Sequence, residues 1–109
     1  MNIENLKYPI GRCQYPILYT DVIRNEFKEQ VRLFPEKLNN LVEGFSSEQI
    51  LVPYRPGGWS SQQVVHHLAD SHMNALIRIK LALTESVPTI KAYKEAKWAE
   101  LLDYDQDCS

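Results

Sequence analysis

The sequence predicts an all-α domain organised around two long helices, and three observations carry that prediction. Ile23, Phe27, Val31, Phe34, Leu38, Leu41 and Phe45 recur at steps of 4, 4, 3, 4, 3 and 4, the period of one buried helical face. Ser60 and Gln63 form a capping box ahead of a second long helical pattern that ends near Thr84. All three histidines, His66, His67 and His72, fall on that second helix.

Length and composition bound the rest. The chain has 109 residues, enough for one small domain, and is 44% hydrophobic and 24% charged, an ordinary globular balance. A net charge of −2 points to no nucleic-acid partner and no anionic membrane. Met1 to Leu6 lacks the apolar core of a signal peptide, and no apolar run approaches the roughly 20 residues that span a bilayer. Cys13 and Cys108 form no C-x-x-C pair, so reduced thiols in a cytoplasmic protein are expected.

Residues 1–19 hold two Tyr-Pro pairs and Gly11, which predicts an irregular arm laid over the domain and held by Tyr8, Ile10 and Tyr15. The first long helix should run from Asp21 to Glu43, capped by Thr20 and kinked near Phe34 by Pro35, with Gly44 as its C′ residue. Ser46 and Gln49 predict a capped short turn through Leu51, and residues 53–58 a turn-rich connection. The second long helix, Ser61 to Thr84, should pack antiparallel to the first. After Val87-Pro88, a shorter helix is expected from Lys94 to about Leu102, packed through Trp98, Leu101 and Leu102. Residues 103–109 are acidic and are expected to be a loose tail.

At about 100° per residue, Val64, Val65, Leu68, His72, Ala75, Leu76, Ile79, Ala82 and Leu83 gather on the core face of the second helix. His67, Ser71, Asn74 and Arg78 form a polar stripe along one edge of that face, while His66, Met73 and Lys80 point away. Neutral imidazole is a good metal ligand, so His67 reads either as a ligand or as a hydrogen-bonded structural residue. His72 reads as a satisfied core histidine. No two of the histidines are spaced i, i+4, so this helix cannot supply an H-x-x-x-H pair. Asp70 and Ser71 stand where they could orient the His67 ring or a bound water, with local helix pairing equally open. Neither cysteine has a histidine nearby in sequence, Ser71 lacks an elbow motif, and Gly57-Gly58 reads as a turn rather than an anion cradle.

Four blocks resemble a known family: residues 5–11, Asn5-Leu6-Lys7-Tyr8-Pro9-Ile10-Gly11; residues 53–59, from Pro53 to Trp59; residues 63–74, Gln63-Val64-Val65-His66-His67-Leu68-Ala69-Asp70-Ser71-His72-Met73-Asn74; and residues 80–85. In this order they are similar to the YfiT branch of the DinB-like family, described as metal-dependent hydrolases and including bacillithiol S-transferases. The resemblance implies a four-helix bundle holding one Zn2+ or Ni2+ through three histidines. It makes His67, the second histidine of His-His-Leu-Ala-Asp, the first metal ligand. With that ligand in place, the helix-face sorting above puts Ser71, Asn74 and Arg78 along the approach to the metal, as the candidate catalytic, cavity-lining residues. The family's other two ligands come from an H-x-x-x-H pair on its last helix, and no histidine follows His72 here.

The expectation is therefore an incomplete DinB-like bundle over residues 1–109: two long helices, one short helix, and no last helix. The implied function is a metal-dependent hydrolase or thiol S-transferase, with the metal activating a water or a thiol. Its partners would be a small-molecule substrate, such as a low-molecular-weight thiol, and a second copy in a homodimer. The alternative is a non-catalytic helical fragment, or a self-associating interaction module without a complete metal site.

Overall fold

In the computed structural model, which describes residues 2–108, helices form wherever sequence supplies both a cap and a period. The order is α1 (Ile3–Lys7), α2 (Asp21–Glu43), a 3-10 turn at Gln49–Leu51, α3 (Ser61–Thr84), α4 (Glu95–Trp98) and a 3-10 turn at Leu102–Asp105. The described residues contain no strand, only an isolated antiparallel bridge between Pro53 and Ser60.

The caps explain the boundaries. Asn2 Oδ1 accepts from the Glu4 amide at 3.0 Å and starts α1. Thr20 Oγ1 accepts from the Ile23 amide at 3.2 Å and starts α2. Ser46 and Gln49 bond reciprocally at 2.9 and 3.0 Å, as do Ser60 and Gln63 at 3.0 and 3.1 Å. Gly57, at φ +70°, turns the chain between them into α3. α2 runs through Pro35 as one helix. Gly44, expected at C′, is the C-cap itself, at φ −78° in right-handed geometry.

The two long helices run in antiparallel order. Asn39, Val42 and Phe45, near the end of α2, share a cleft with Gln62 at the start of α3. Further along, the Phe34 ring meets His72 with centroids 5.8 Å apart. The backbone of α3 nevertheless packs most extensively against the two 3-10 turns. Burial follows this pattern. Ala99 and Tyr104 are the buried apolar residues, with Ser60 and Asp70 the buried polar ones. The packed centre thus lies between the first half of α3 and residues 99–106.

Four sequence expectations change as a result. The segment 1–19 is not wholly irregular, since α1 forms within it. Ile10 and Tyr15 do not hold it down, being 98% and 80% exposed, and Tyr8 instead lies under the Arg12 guanidinium at 4.0 Å. The third helix stops at Trp98, and Leu101 and Leu102 face solvent while Ala99 and Tyr104 turn inward. The segment 102–106 is seated rather than loose: Gln62 donates to the Tyr104 carbonyl at 2.9 Å, and Gln63 donates to the Ala99 carbonyl at 3.3 Å. On α3, Val64, Val65 and Leu68 are half-buried, whereas His72, Ala75, Leu76, Ile79, Ala82 and Leu83 are exposed, so His72 is not a core histidine.

The seat is closed by the Tyr104 hydroxyl, which donates to Asp70 Oδ2 at 2.5 Å in a buried setting. Tyr104→Phe leaves that carboxylate buried without its donor, so it should lower stability by about 1–3 kcal/mol. Leu102→Ala, at a residue 80% exposed, should change stability by less than about 0.5 kcal/mol. Urea denaturation followed by circular dichroism compares the two.

Candidate metal centre

The polar stripe of α3 is also its half-buried stripe. His67, Ser71, Asn74 and Arg78 are each partly covered, while His72, Met73, Ala75, Leu76, Ile77 and Ile79 between and beside them are exposed. Residues three and four apart share a helical face, so the four side chains form one continuous stripe.

Different segments supply that cover. Trp59, just before the Ser60 cap, lies against His67 with ring centroids 4.9 Å apart and planes at 55°. The Asn74 side chain donates back to the Asp70 carbonyl at 2.8 Å, and Asn74 borders a cleft formed by residues 91–98. Arg78 Nη2 donates to the Lys91 carbonyl at 3.1 Å and ties that loop to α3. Ser71 lies between these contacts on the same stripe. His67 and Trp59 thus mark one end of the site, and Asn74, Arg78 and residues 91–98 the other.

His67 Nδ1 is enclosed and has no hydrogen-bond partner. Buried polar atoms are normally satisfied, and leaving one unpaired costs about 1–3 kcal/mol. Asp70 makes no hydrogen bond to this nitrogen; its Oδ2 accepts from Tyr104 instead. The Tyr104 phenol is held well above its ordinary pKa, first by burial and then by the hydrogen bond to Asp70, so it stays protonated as a donor. His66 is not solvent-directed as the helix geometry suggested. Its ring stacks on Tyr104 at 5.1 Å and its Nε2 faces the Gln106 carbonyl at 2.9 Å. A carbonyl only accepts, so this nitrogen carries the proton.

Sequence reasoning weighed Asp70 as a partner of His67 and missed its pairing with Tyr104, which it left in a loose tail. A signal existed: an aspartate on the buried half of a helix requires a donor, and Tyr104 is the aromatic hydroxyl of the tail.

An enclosed, unbonded imidazole nitrogen suits one position in a metal's coordination shell. The full donor set is not here. No cluster of three or more His, Cys, Asp or Glu side chains capable of holding a metal occurs among the described residues. Catalytic zinc sites usually use three protein ligands. The described residues therefore fit one ligand of such a centre and not the centre itself.

An α-helical chain with a single imidazole enclosed on the polar stripe of its longest helix is the class that this geometry defines. The DinB superfamily profile matches residues 30–107, and the chain belongs to that superfamily, in its YfiT branch. A relative from Oceanobacillus iheyensis, named "Putative metal-dependent hydrolase", is 52% identical over 101 residues, covering 93% of this chain and 59% of that protein. A relative from Bacillus mycoides with the same designation is 46% identical, at 93% and 58% coverage. The solved structure of YfiT from Bacillus subtilis, described as "a probable metal-dependent hydrolase with an unusual four-helix bundle topology", aligns with a TM-score of 0.89 and 44% identity. The alignment covers 95% of this chain and 60% of YfiT. The chain thus spans about three fifths of the length of the relatives it matches.

The two thiols differ in setting. Cys13 is exposed, while Cys108 is partly buried and its pKa is raised, first by burial and then by the Asp107 charge. A raised thiol pKa means less thiolate at a given pH. Iodoacetamide near neutral pH should therefore alkylate Cys13 before Cys108, with peptide mass spectrometry reading the order, and unfolding in urea should remove the difference.

Proposed function

We propose that this chain carries the His67 side of a metal-dependent hydrolase centre, with the imidazole as ligand to one divalent ion. The observation that carries the reading is the enclosed, unbonded Nδ1 of His67, on the stripe shared with Ser71, Asn74 and Arg78. An ion in such a centre supplies acidity to a bound water or thiol, making it nucleophilic near neutral pH. The chain's own contributions are narrower: His67 offers a nitrogen, Trp59 shields the ring from water, and Asn74 and Arg78 border the approach. Imidazole accepts both Zn2+ and Ni2+. A water nucleophile gives hydrolysis of a small molecule; a low-molecular-weight thiol gives S-transfer. No helix among the described residues is long and apolar enough to cross a membrane. The free thiols fit a reducing cytoplasm.

One imidazole cannot hold the ion tightly, because affinity grows with each deprotonated ligand that the fold supplies. Calorimetry with Zn2+ and Ni2+ should show weak binding to the chain, lost in His67→Ala and kept in His72→Ala. Hydrolysis of small esters and thiol conjugation to an electrophile, each with and without metal, separate the two nucleophiles. Metal binding that survives His67→Ala, or turnover indifferent to metal, contradicts the reading.

A second reading rests on the uncovered half of α3. Leu76, Ile79 and Leu83 are 55%, 58% and 81% exposed, and Val31 and Leu41 of α2 are 63% and 60% exposed. So much apolar surface on facing helices favours self-association, and a homodimer is the simplest form. Sedimentation at tens of micromolar, roughly where weak association shows, should give a species larger than the monomer, and Leu76→Glu with Ile79→Glu should shift it back toward the monomer.

A further inference from the structure

The proposed centre has a second end, and its chemistry differs from the first. A cleft of about 420 Å³ lies beside α3, bordered by Asn74, Lys91, Tyr93, Lys94, Lys97 and Trp98. That volume lies in the range of small-molecule sites. Three lysines border it, and no acidic side chain does. None of the three ammonium groups is in an ion pair or a hydrogen bond with another described residue. Like charges three residues apart repel, as Lys94 and Lys97 do across the start of α4. Glu95 and Glu100, on the same stretch, lie outside the lining.

Two contacts give the cleft a fixed shape. Arg78 grips the Lys91 carbonyl at 3.1 Å and holds the loop against α3. Tyr93 and Trp98 pack together, centroids 4.5 Å apart with planes at 48°, and make an aromatic wall. Cations above an aromatic wall are complementary to a ligand that is anionic at one end and flat or apolar beside it.

Asn74 joins this cleft to the stripe that begins at His67. Seven residues along an α-helix bring the chain back to the same face, about 10 Å further on. We propose that the cleft is the anion-recognition end of the same centre: it takes small molecules bearing carboxylate or phosphate groups, and its grip holds the reacting atom about 10 Å away beside His67. The assignment of His67 as the reacting end rests on the functional reading above; the anion site itself does not.

The test uses the full chain without metal, so that it reads the cleft alone. Citrate, inorganic phosphate and neutral glycerol are titrated at constant ionic strength while proton–nitrogen NMR spectra are recorded. Citrate or phosphate should move the Trp98 indole signal and the amides of residues 91–98 saturably, while the Trp59 indole stays in place. Whichever anion binds more tightly identifies the preferred group. The variant Lys94→Gln with Lys97→Gln, judged folded by its spectral dispersion, should bind about tenfold more weakly, the size expected for two exposed charge contacts. Shifts no larger than those with glycerol, or shifts unchanged in the double variant, overturn the proposal. Loss of the metal titration with this response intact removes the His67 reading and keeps the anion site; the reverse result keeps His67 and removes the site.

Discussion

The hydrogen bond from the Tyr104 hydroxyl to Asp70 is the interaction on which the rest of the fold depends. A carboxylate that is 8% exposed is stable only with a donor, and a phenol that is 2% exposed only with an acceptor. Each satisfies the other, and neither position tolerates water as a substitute without opening the packed centre. Around this pair, Gln62, Gln63 and His66 use successive positions on the same turn and a half of α3 to hold the carbonyls of Tyr104, Ala99 and Gln106. The residues that complete the centre come from the last part of the chain, so the start of α3 acquires its environment from residues about 40 positions away.

This arrangement decides where the chemistry can sit. Asp70 points its carboxylate toward the tail, which leaves the neighbouring edge of α3 to His67, Ser71, Asn74 and Arg78. The imidazole is covered by Trp59 from before the helix, and the far end of the stripe by the 91–98 segment from after it. One helix therefore carries two different surfaces in line: an enclosed imidazole nitrogen first, then a cleft lined by lysines and aromatic rings. A helix suits this because its rise per residue sets the spacing between the two without any adjustable loop.

Much of this was legible in sequence, and what was not has a common cause. The limits of α2 and α3 follow from Thr20, Ser60 and Gln63, because caps and periodicity are local and each carries its own energetic reason. The polar stripe follows from helical geometry alone. The covalently distant pairings do not: nothing near Asp70 in sequence announces Tyr104, and an acidic, aperiodic stretch reads as solvent-facing. The same locality explains His66, whose helical angle points outward until the tail arrives to stack on it. The wide apolar face was visible in the residue pattern, but the pattern holds no information on whether a neighbour covers it. His72, Leu76 and Ile79 consequently read as interior and stand exposed.

The anchoring of α3 is also lopsided. Its first ten residues are capped, bonded and stacked, whereas beyond Asp70 it is tied chiefly by the Phe34–His72 ring contact and the Arg78 bond to Lys91. With fewer contacts, the outer half of this helix is expected to open more readily than its root. Amide hydrogen exchange along it should be slow near His67 and faster past Ile77. The well-anchored part holds the imidazole and the outer part borders the lysine cleft. On the anion-site proposal, a ligand in the cleft would spend part of its binding free energy on quieting the outer helix, and a ligand at the root would then meet a chain already stiffened. Coupling between the two ends can arise in this way from a change in motion, with no displacement of the backbone.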